Sequence, residues 1–151
     1  GLELLVEPGD VETVHGDETK IKQILINLLH NAVKYTPRGT VAVRVERELE
    51  GGVRILVIDS GPGIPEEWRE RVFEPFERLH VNEPGEQKGL GLGLAVVRTY
   101  ARAHGGDVTV EDAPGGGSCF IVRLPEQPDA TPAGTLAGGA AMAARAGGER
   151  R

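Results

Sequence analysis

Apolar residues recur at spacings of three and four as Ile21, Ile24, Leu25, Leu28, Leu29 and Ala32, the period of one buried helix face. Asp17 can cap that helix. Pro37 ends it, because the residue before a proline is driven out of helical backbone angles. The period then falls to two. Val41, Val43 and Val45 alternate with polar residues through Thr40–Glu48, and Val53–Ile58 follows Gly51-Gly52, so these stretches predict a β-hairpin. Leu2–Val6 and Val11–Val14 predict short strands around the turn cluster Glu7-Pro8-Gly9-Asp10. Farther along, Glu66–Val72 predicts a short charged helix and Leu92–His104 a second helix closed by Gly105-Gly106. Val108–Val110 and Cys119–Leu124 predict a last hairpin around Pro114-Gly115-Gly116-Gly117, making the sheet mostly antiparallel.

Two stretches keep no period. Glu77–Lys88 is polar, carries Pro84-Gly85, and predicts a mobile loop. Residues 126–151 are rich in Ala, Gly, Pro and Thr, too poor in large apolar side chains to offset ordering entropy. They predict a disordered tail, with at most a transient helix over Ala137–Ala146, behind one folded domain over residues 1–125.

Composition narrows the function. A chain of 151 residues with 39% apolar residues supports a single core. Its formal charge of −6 opposes binding to nucleic acid or an acidic membrane, and no apolar stretch is long enough to span a bilayer. Cys119 is the one cysteine, which rules out an internal disulfide and a cysteine metal cluster. It reads as a strand thiol in a reducing, cytoplasmic setting.

The chemistry concentrates in two glycine segments. Asp59-Ser60-Gly61-Pro62-Gly63 follows the β-branched run Val53–Ile58, which puts Asp59 at the C-terminal end of a strand as a hydrogen-bond acceptor. Gly89-Leu90-Gly91-Leu92-Gly93-Leu94 opens the second helix, whose first N–H groups would be free to meet an anion. On the long helix Gln23, Asn27, Asn31 and Lys34 form a polar stripe opposite the apolar one. A solvated face is the plain reading of such a stripe. Amides and a lysine without the usual glutamates instead suit a magnesium-bound polyphosphate.

With these elements in view, Gln23–Pro37 resembles the N box of sensor histidine kinases, Asp59–Pro65 their G1 box, Phe73–Arg78 their F box and Gly89–Leu94 their G2 box. The resemblance runs from about residue 2 to Pro125 with the boxes in order. It implies an α+β fold: a two-layer α/β sandwich of the Bergerat type, with a mixed, mostly antiparallel sheet covered on one face by helices. It also implies roles for ATP and Mg²⁺. Asn31 would hold Mg²⁺, Lys34 would meet phosphate, and Tyr35 would lie by the ribose or adenine. Asp59 would accept the adenine amino group, with Gly61, Gly63 and Ile64 beside the base. Gly89, Leu90, Gly91, Leu92, Gly93 and Leu94 would offer backbone N–H groups to the phosphates. Phe73 and Phe76 would anchor a lid, Arg78 would reach the γ-phosphate, and Lys88 would add a phosphate contact. Leu90 and Lys88 depart from the family, which often has Thr or Ser and Gly there.

Asn27 separates holding ATP from hydrolysing it. The gyrase and Hsp90 type relatives carry a glutamate at the matching position, and an amide cannot take a proton from water. The resemblance therefore implies transfer of the γ-phosphoryl group to a histidine on a dimerisation domain, and onward to a cognate response regulator. None of His15, His30, His80 or His104 sits in a phosphoacceptor signature, so the acceptor belongs to another segment; His104 reads as a helix-end residue whose charge favours the helix C-terminus. Dinucleotide-binding and P-loop readings fail, since neither the Gly-x-Gly-x-x-Gly spacing nor a Gly-Lys-Ser/Thr triplet is present. A serine kinase of the anti-sigma type and a nucleotide-binding regulatory module remain as alternatives.

Overall fold

A computed structural model describes residues 1–7, 9–77, 92–126 and 135–137. The element order is β1 (Leu2–Glu7), β2 (Thr13–His15), α1 (Glu18–Tyr35), β3 (Gly39–Arg47), β4 (Val53–Asp59), α2 (Gly93–Ala103), β5 (Asp107–Asp112), β6 (Ser118–Leu124) and β7 (Thr135–Ala137). Five strands form the main sheet in the order β1-β3-β4-β6-β5, with β1 parallel to β3 and the other neighbours antiparallel.

The alternation seen in sequence decides which face is buried. Val41, Val43, Val45, Ile55, Val57, Phe120, Val122, Val108 and Val110 point to one side, and α1 covers them with Ile21, Ile24, Leu25, Leu28 and Ala32 while α2 adds Val97 and Ala101. These side chains make one core between sheet and helices, a two-layer arrangement. The other face carries a small apolar cluster of Leu56, Ile58, Ala113, Cys119 and Ile121 beside linked ion pairs such as Arg44–Glu7 and Arg54–Glu46. Cys119 is buried, and burial pushes its thiol up, away from the reactive thiolate.

α1 begins where the sequence places it. Asp17 accepts from the Lys20 amide at 3.1 Å, and its carboxyl is lowered by that hydrogen bond against the opposing cost of burial. α2 ends in a Schellman closure: Gly106 N–H donates to Ala101 O and Gly105 N–H to Arg102 O. His104, just before those glycines, is not a charged cap. Its Nε2 accepts the Asp17 N–H at 2.9 Å and its Nδ1 faces the Tyr100 carbonyl at 2.9 Å, an arrangement that requires the neutral ring with the proton on Nδ1. His104 thus locks the start of α1 to the end of α2.

Other expectations shift. The short charged helix is two separate 3₁₀ turns, Glu66–Trp68 and Arg71–Phe73, because the chain must bury Val72 and Phe73 while Trp68 packs partly against the core. Val11 is buried outside any strand, and β2 is only Thr13–His15. Its partner is β7, with Val14 opposite Leu136, so three residues of the expected disordered tail pair with β2 in a separate two-stranded sheet. Residues 127–134 and 138–151, including most of the transient helix, lie outside the described residues. Among the described residues no helix is long and apolar enough to cross a membrane.

Candidate nucleotide-binding site

The polar stripe of α1 divides into a committed half and an open half. Gln23 Nε2 donates to Asn27 Oδ1 at 2.7 Å, and Asn27 Nδ2 donates to the Gly93 carbonyl at 3.1 Å. Both ends of the Asn27 amide are occupied, and the second bond fastens the middle of α1 to the first turn of α2. One turn on, Asn31 is half-buried and has no hydrogen-bond partner among the described residues. Lys34 has no carboxylate partner among the described residues; its Nζ rests 5.2 Å from the centroid of the Tyr35 ring.

The start of α2 faces this stripe. Leu92 precedes the helix without a side-chain cap, and no acidic residue occupies the first turn. Among the described residues nothing caps its leading N–H groups, which stand at the positive end of the helix dipole. Leu94 packs partly against the core, so its side chain is engaged there. A Cβ on Gly93 would make only ordinary contact with the Asn27 amide, at 4.0 Å, so this helix end lies directly beside α1.

At the other end of α1 stands Asp59, the last residue of β4 and only 5% exposed. Its Oδ1 accepts from the Gly61 amide at 2.9 Å and the Ser118 amide at 3.3 Å. Oδ2 has no partner among the described residues. Burial raises the carboxyl above its ordinary value, opposed by the Gly61 and Ser118 amides and by the nearby Thr36 hydroxyl. Gly61 is glycine for lack of space: an added Cβ would meet Tyr35 O at 2.7 Å, Thr36 Oγ1 at 2.9 Å and Asp59 Oδ1 at 3.0 Å. Gly63 needs glycine for its backbone, at φ +82°. Ile64 packs partly against the core, and its carbonyl accepts from Arg69 Nε at 3.3 Å.

Contacts thus join Asn27 to Gly93, which Leu92 and Leu94 flank, and join Tyr35 and Thr36 to Gly61 and Asp59, which Gly63 and Ile64 follow in the chain, with Asn31 and Lys34 on the stretch of α1 between the two groups. From Asn27 to Thr36 the helix rises about 13 Å, the scale of an extended ligand and not of a single ion. Arg78, Lys88, Gly89, Leu90 and Gly91 lie outside the described residues. Of the two phenylalanines expected to anchor a lid, Phe73 is buried and meets Phe120 edge to face at 6.0 Å. Phe76 is not an anchor: it is 68% exposed at φ +68°, because the Glu77 amide turns back to Glu74 O and swings residue 76 outward.

Three contacts escape sequence reasoning. Ser118 enters through its backbone N–H, which no residue type announces. The Gly93 end of the Asn27 bridge is also backbone. Thr36, a small polar residue before a proline, reads as a helix end.

The donor set also fits magnesium. Among the described residues no three His, Cys, Asp or Glu side chains converge on a metal. A divalent ion here would take one amide oxygen, from Asn31, and fill its remaining positions with phosphate oxygens and water, as magnesium commonly does.

Comparison with known proteins matches this arrangement. Residues 16–128 match the family of histidine kinase-, DNA gyrase B-, and HSP90-like ATPases. The adaptive-response sensory kinase SasA of Rippkaea orientalis is 44% identical over 119 residues, covering 78% of this chain and 30% of that protein. SasA of a Nostoc species is 42% identical over 122 residues, covering 80% of this chain and 30% of that protein. The chain thus spans about three tenths of the length of these curated relatives. Among solved structures, full-length ShkA in complex with AMPPNP superposes with a TM-score of 0.72 at 35% identity, covering 87% of this chain and 27% of that one. The mycobacterial sensor histidine kinase MprB gives 0.67 at 34% identity, covering 85% of this chain and 83% of that one. The ATP-binding domain of PrrB from Mycobacterium tuberculosis gives 0.67 at 30%, covering 83% and 81%. The fold, a mostly antiparallel sheet covered on one face by helices, is that of histidine kinase ATP-binding domains, and the chain belongs to the histidine kinase-, DNA gyrase B- and HSP90-like ATPase family as an ATP-binding domain of the histidine kinase kind.

Proposed function

We propose that this domain holds Mg-ATP with the base at Asp59 and the triphosphate at the start of α2, and passes the γ-phosphoryl group to a histidine on a separate dimerisation hairpin. The receiving histidine would then hand the group to a response regulator, and the domain itself would work in the cytoplasm. The observation that carries this reading is the distribution of polar groups without a partner among the described residues: Asp59 Oδ2 at the C-terminal end of α1, Asn31 one turn before that end, and the uncapped start of α2 beside Asn27 at the middle of the helix.

Each group has a task that matches its chemistry. Asp59 Oδ2 accepts the exocyclic amino group of adenine. Lys34 leaves the Tyr35 ring to meet phosphate, and the α2 amides hold phosphate oxygens at the positive end of the dipole. Asn31 would hold magnesium, which when bound neutralises part of the triphosphate charge. Arg78 and Lys88 add cations from the segment before α2. In the transfer the incoming imidazole nitrogen forms the P–N bond as the bond from the γ-phosphorus to the β–γ bridging oxygen breaks, and ADP carries that electron pair away. The chain's contribution is positioning and electrostatics. Asn27 supports transfer over hydrolysis, since its amide is committed to Gln23 and Gly93 and offers no base for water.

Calorimetric titration of the domain with a non-hydrolysable ATP analogue, with and without Mg²⁺, tests binding. Radiolabel transfer from ATP to a supplied histidine hairpin tests chemistry. Tight Mg²⁺-dependent binding with transfer to histidine is expected, and transfer to a serine of a partner protein would move the domain to the anti-sigma class.

A further inference from the structure

Thr36 is fully buried, yet its hydroxyl oxygen is the one buried side-chain polar atom without a hydrogen-bond partner among the described residues. Leaving such a group unpaired costs free energy comparable to a lost hydrogen bond, so its retention calls for a reason. Its position is imposed from both sides. The Thr36 amide donates to Val33 O as the last act of α1, and Pro37 holds residue 36 out of helical angles at φ −128°, ψ 73°. That turn drives the side chain under the G1 turn, where Thr36 Oγ1 and Asp59 Oδ1 both lie within 3.0 Å of the point that a Cβ on Gly61 would occupy.

We propose that Thr36 is a base-positioning residue, whose hydroxyl completes a hydrogen bond to the Asp59 carboxylate when adenine is bound and so aims Oδ2 at the exocyclic amino group. The inference rests on the reading of Asp59 as the base acceptor. Without nucleotide the hydroxyl is near enough to favour the ionised carboxyl electrostatically, but the geometry does not close the bond. Oδ1 already takes two amide protons, so a third donor at that oxygen fixes the plane of the carboxylate. Adenine supplies the missing constraint at Oδ2. The hydroxyl's cost is thus carried in the empty domain and recovered in the complex, which makes it a device for selective binding and not for stability.

The test compares Thr36→Val, which keeps the shape and removes the hydroxyl, with Thr36→Ser, which keeps the hydroxyl. Affinities for Mg²⁺ complexes of ATP and ITP analogues, whose bases carry an amino and an oxo group at the same position, are measured against pH, alongside melting without nucleotide. Thr36→Val should bind the ATP analogue about tenfold more weakly, the worth of one hydrogen bond to a charged group, and should lose preference over ITP. Its affinity should also fall off at higher pH on acidification, because Asp59 loses a group that favours its charge. Melting without nucleotide should be unchanged or higher, and Thr36→Ser should bind within about threefold of the parent. Thr36→Val binding ATP within twofold of the parent overturns the proposal, as does a lower melting temperature with an unchanged ATP-to-ITP ratio. Asp59→Asn distinguishes the layers: if it abolishes base preference while Thr36→Val does not, the proposal fails and the Asp59 reading stands; if neither changes it, the Asp59 reading fails.

Discussion

Replacing Asp59 with Asn separates what this residue does for the fold from what it does for the ligand. The substituted amide can place its oxygen where Oδ1 sits and keep the Gly61 and Ser118 amide bonds, at 2.9 and 3.3 Å in the parent. Its NH₂ group then takes the place of Oδ2, turning an acceptor into a donor. Adenine presents an amino donor and guanine a carbonyl acceptor at the same ring position. Loss of a hydrogen bond to a charged group is worth about 1.5–3 kcal/mol, so ATP affinity should fall roughly 10- to 150-fold. GTP should lose far less, and the preference between the two should narrow or reverse.

Stability should move the other way. Burial raises the Asp59 carboxyl above its value in the unfolded chain, with the Gly61 and Ser118 amides and the nearby Thr36 hydroxyl only partly opposing it. Ionising it at neutral pH therefore opposes folding, and the penalty disappears below the ordinary carboxylate range, where both states are protonated. Asp59→Asn should melt at the same temperature as the parent at neutral pH or a few degrees higher, each 1 kcal/mol being worth roughly 2 to 8 °C for domains near this size. As pH falls through the interval between the raised folded value and the unfolded one, the parent should close that gap. Calorimetric titration with ATP and GTP analogues gives the affinities, and thermal melts without nucleotide from neutral to acid pH give the stabilities. An Asn variant that keeps ATP affinity within threefold, or that melts well below the parent at neutral pH, refutes the assignment.

Asn31→Ala should leave melting without nucleotide unchanged, because the side chain has no partner among the described residues, and should abolish at least tenfold of the Mg²⁺-dependent gain in ATP affinity seen by calorimetry with and without chelator. Arg98 forks onto Glu70 at 3.0 and 3.2 Å, reaches Asp107 at 3.2 Å and lies 4.6 Å from the Phe73 ring; Arg98→Lys loses the fork and should cost about 1–2 kcal/mol in urea denaturation, discounted because Glu70 is largely exposed. His104→Leu unpairs the Asp17 amide and the Tyr100 carbonyl and should cost about 1–3 kcal/mol of stability, with ATP affinity of the folded domain unchanged because residue 104 lies at the end of α2 remote from Gly93.

The parts legible in sequence are those where side-chain type and period carry the structure. α1 is readable because Ile21, Ile24, Leu25 and Leu28 each bury one face and Asp17 caps its start; the alternation of Val41, Val43 and Val45 gives both the strand and its inward side. Asp59 is legible as an acid ending an apolar strand. What sequence does not disclose is carried by backbone groups and by distance along the chain. Ser118 reaches Asp59 through an amide 59 residues away, and Asn27 reaches a carbonyl 66 residues away. The 3₁₀ turns replace a helix because tertiary burial of Val72 and Phe73 overrides local preference, and β7 pairs from a stretch whose composition carries no strand signal.

The difference between Asn27 and Asn31 shows how one helix face serves two purposes. Four residues apart, they share a face, yet one amide is consumed at both ends and the other is idle among the described residues. The consumed amide fixes the start of α2 against α1, and the first turn of α2 contains the amides that would meet phosphate. The idle amide can therefore meet a ligand whose phosphates are already located by its neighbour. Exchanging the roles would fail: freeing Asn27 would release Gly93 and let the proposed phosphate end drift, while committing Asn31 would consume the amide proposed to hold magnesium. A spare acceptor at Asp59, an unpaired hydroxyl at Thr36 and an idle amide at Asn31 are all tolerable because the surrounding bonds, from Gly61, Ser118 and Gly93, are made before any nucleotide arrives. Preorganisation of the scaffold and incompleteness of the site are two aspects of one arrangement, so mutations of the committed groups should lower stability first and mutations of the idle ones affinity alone.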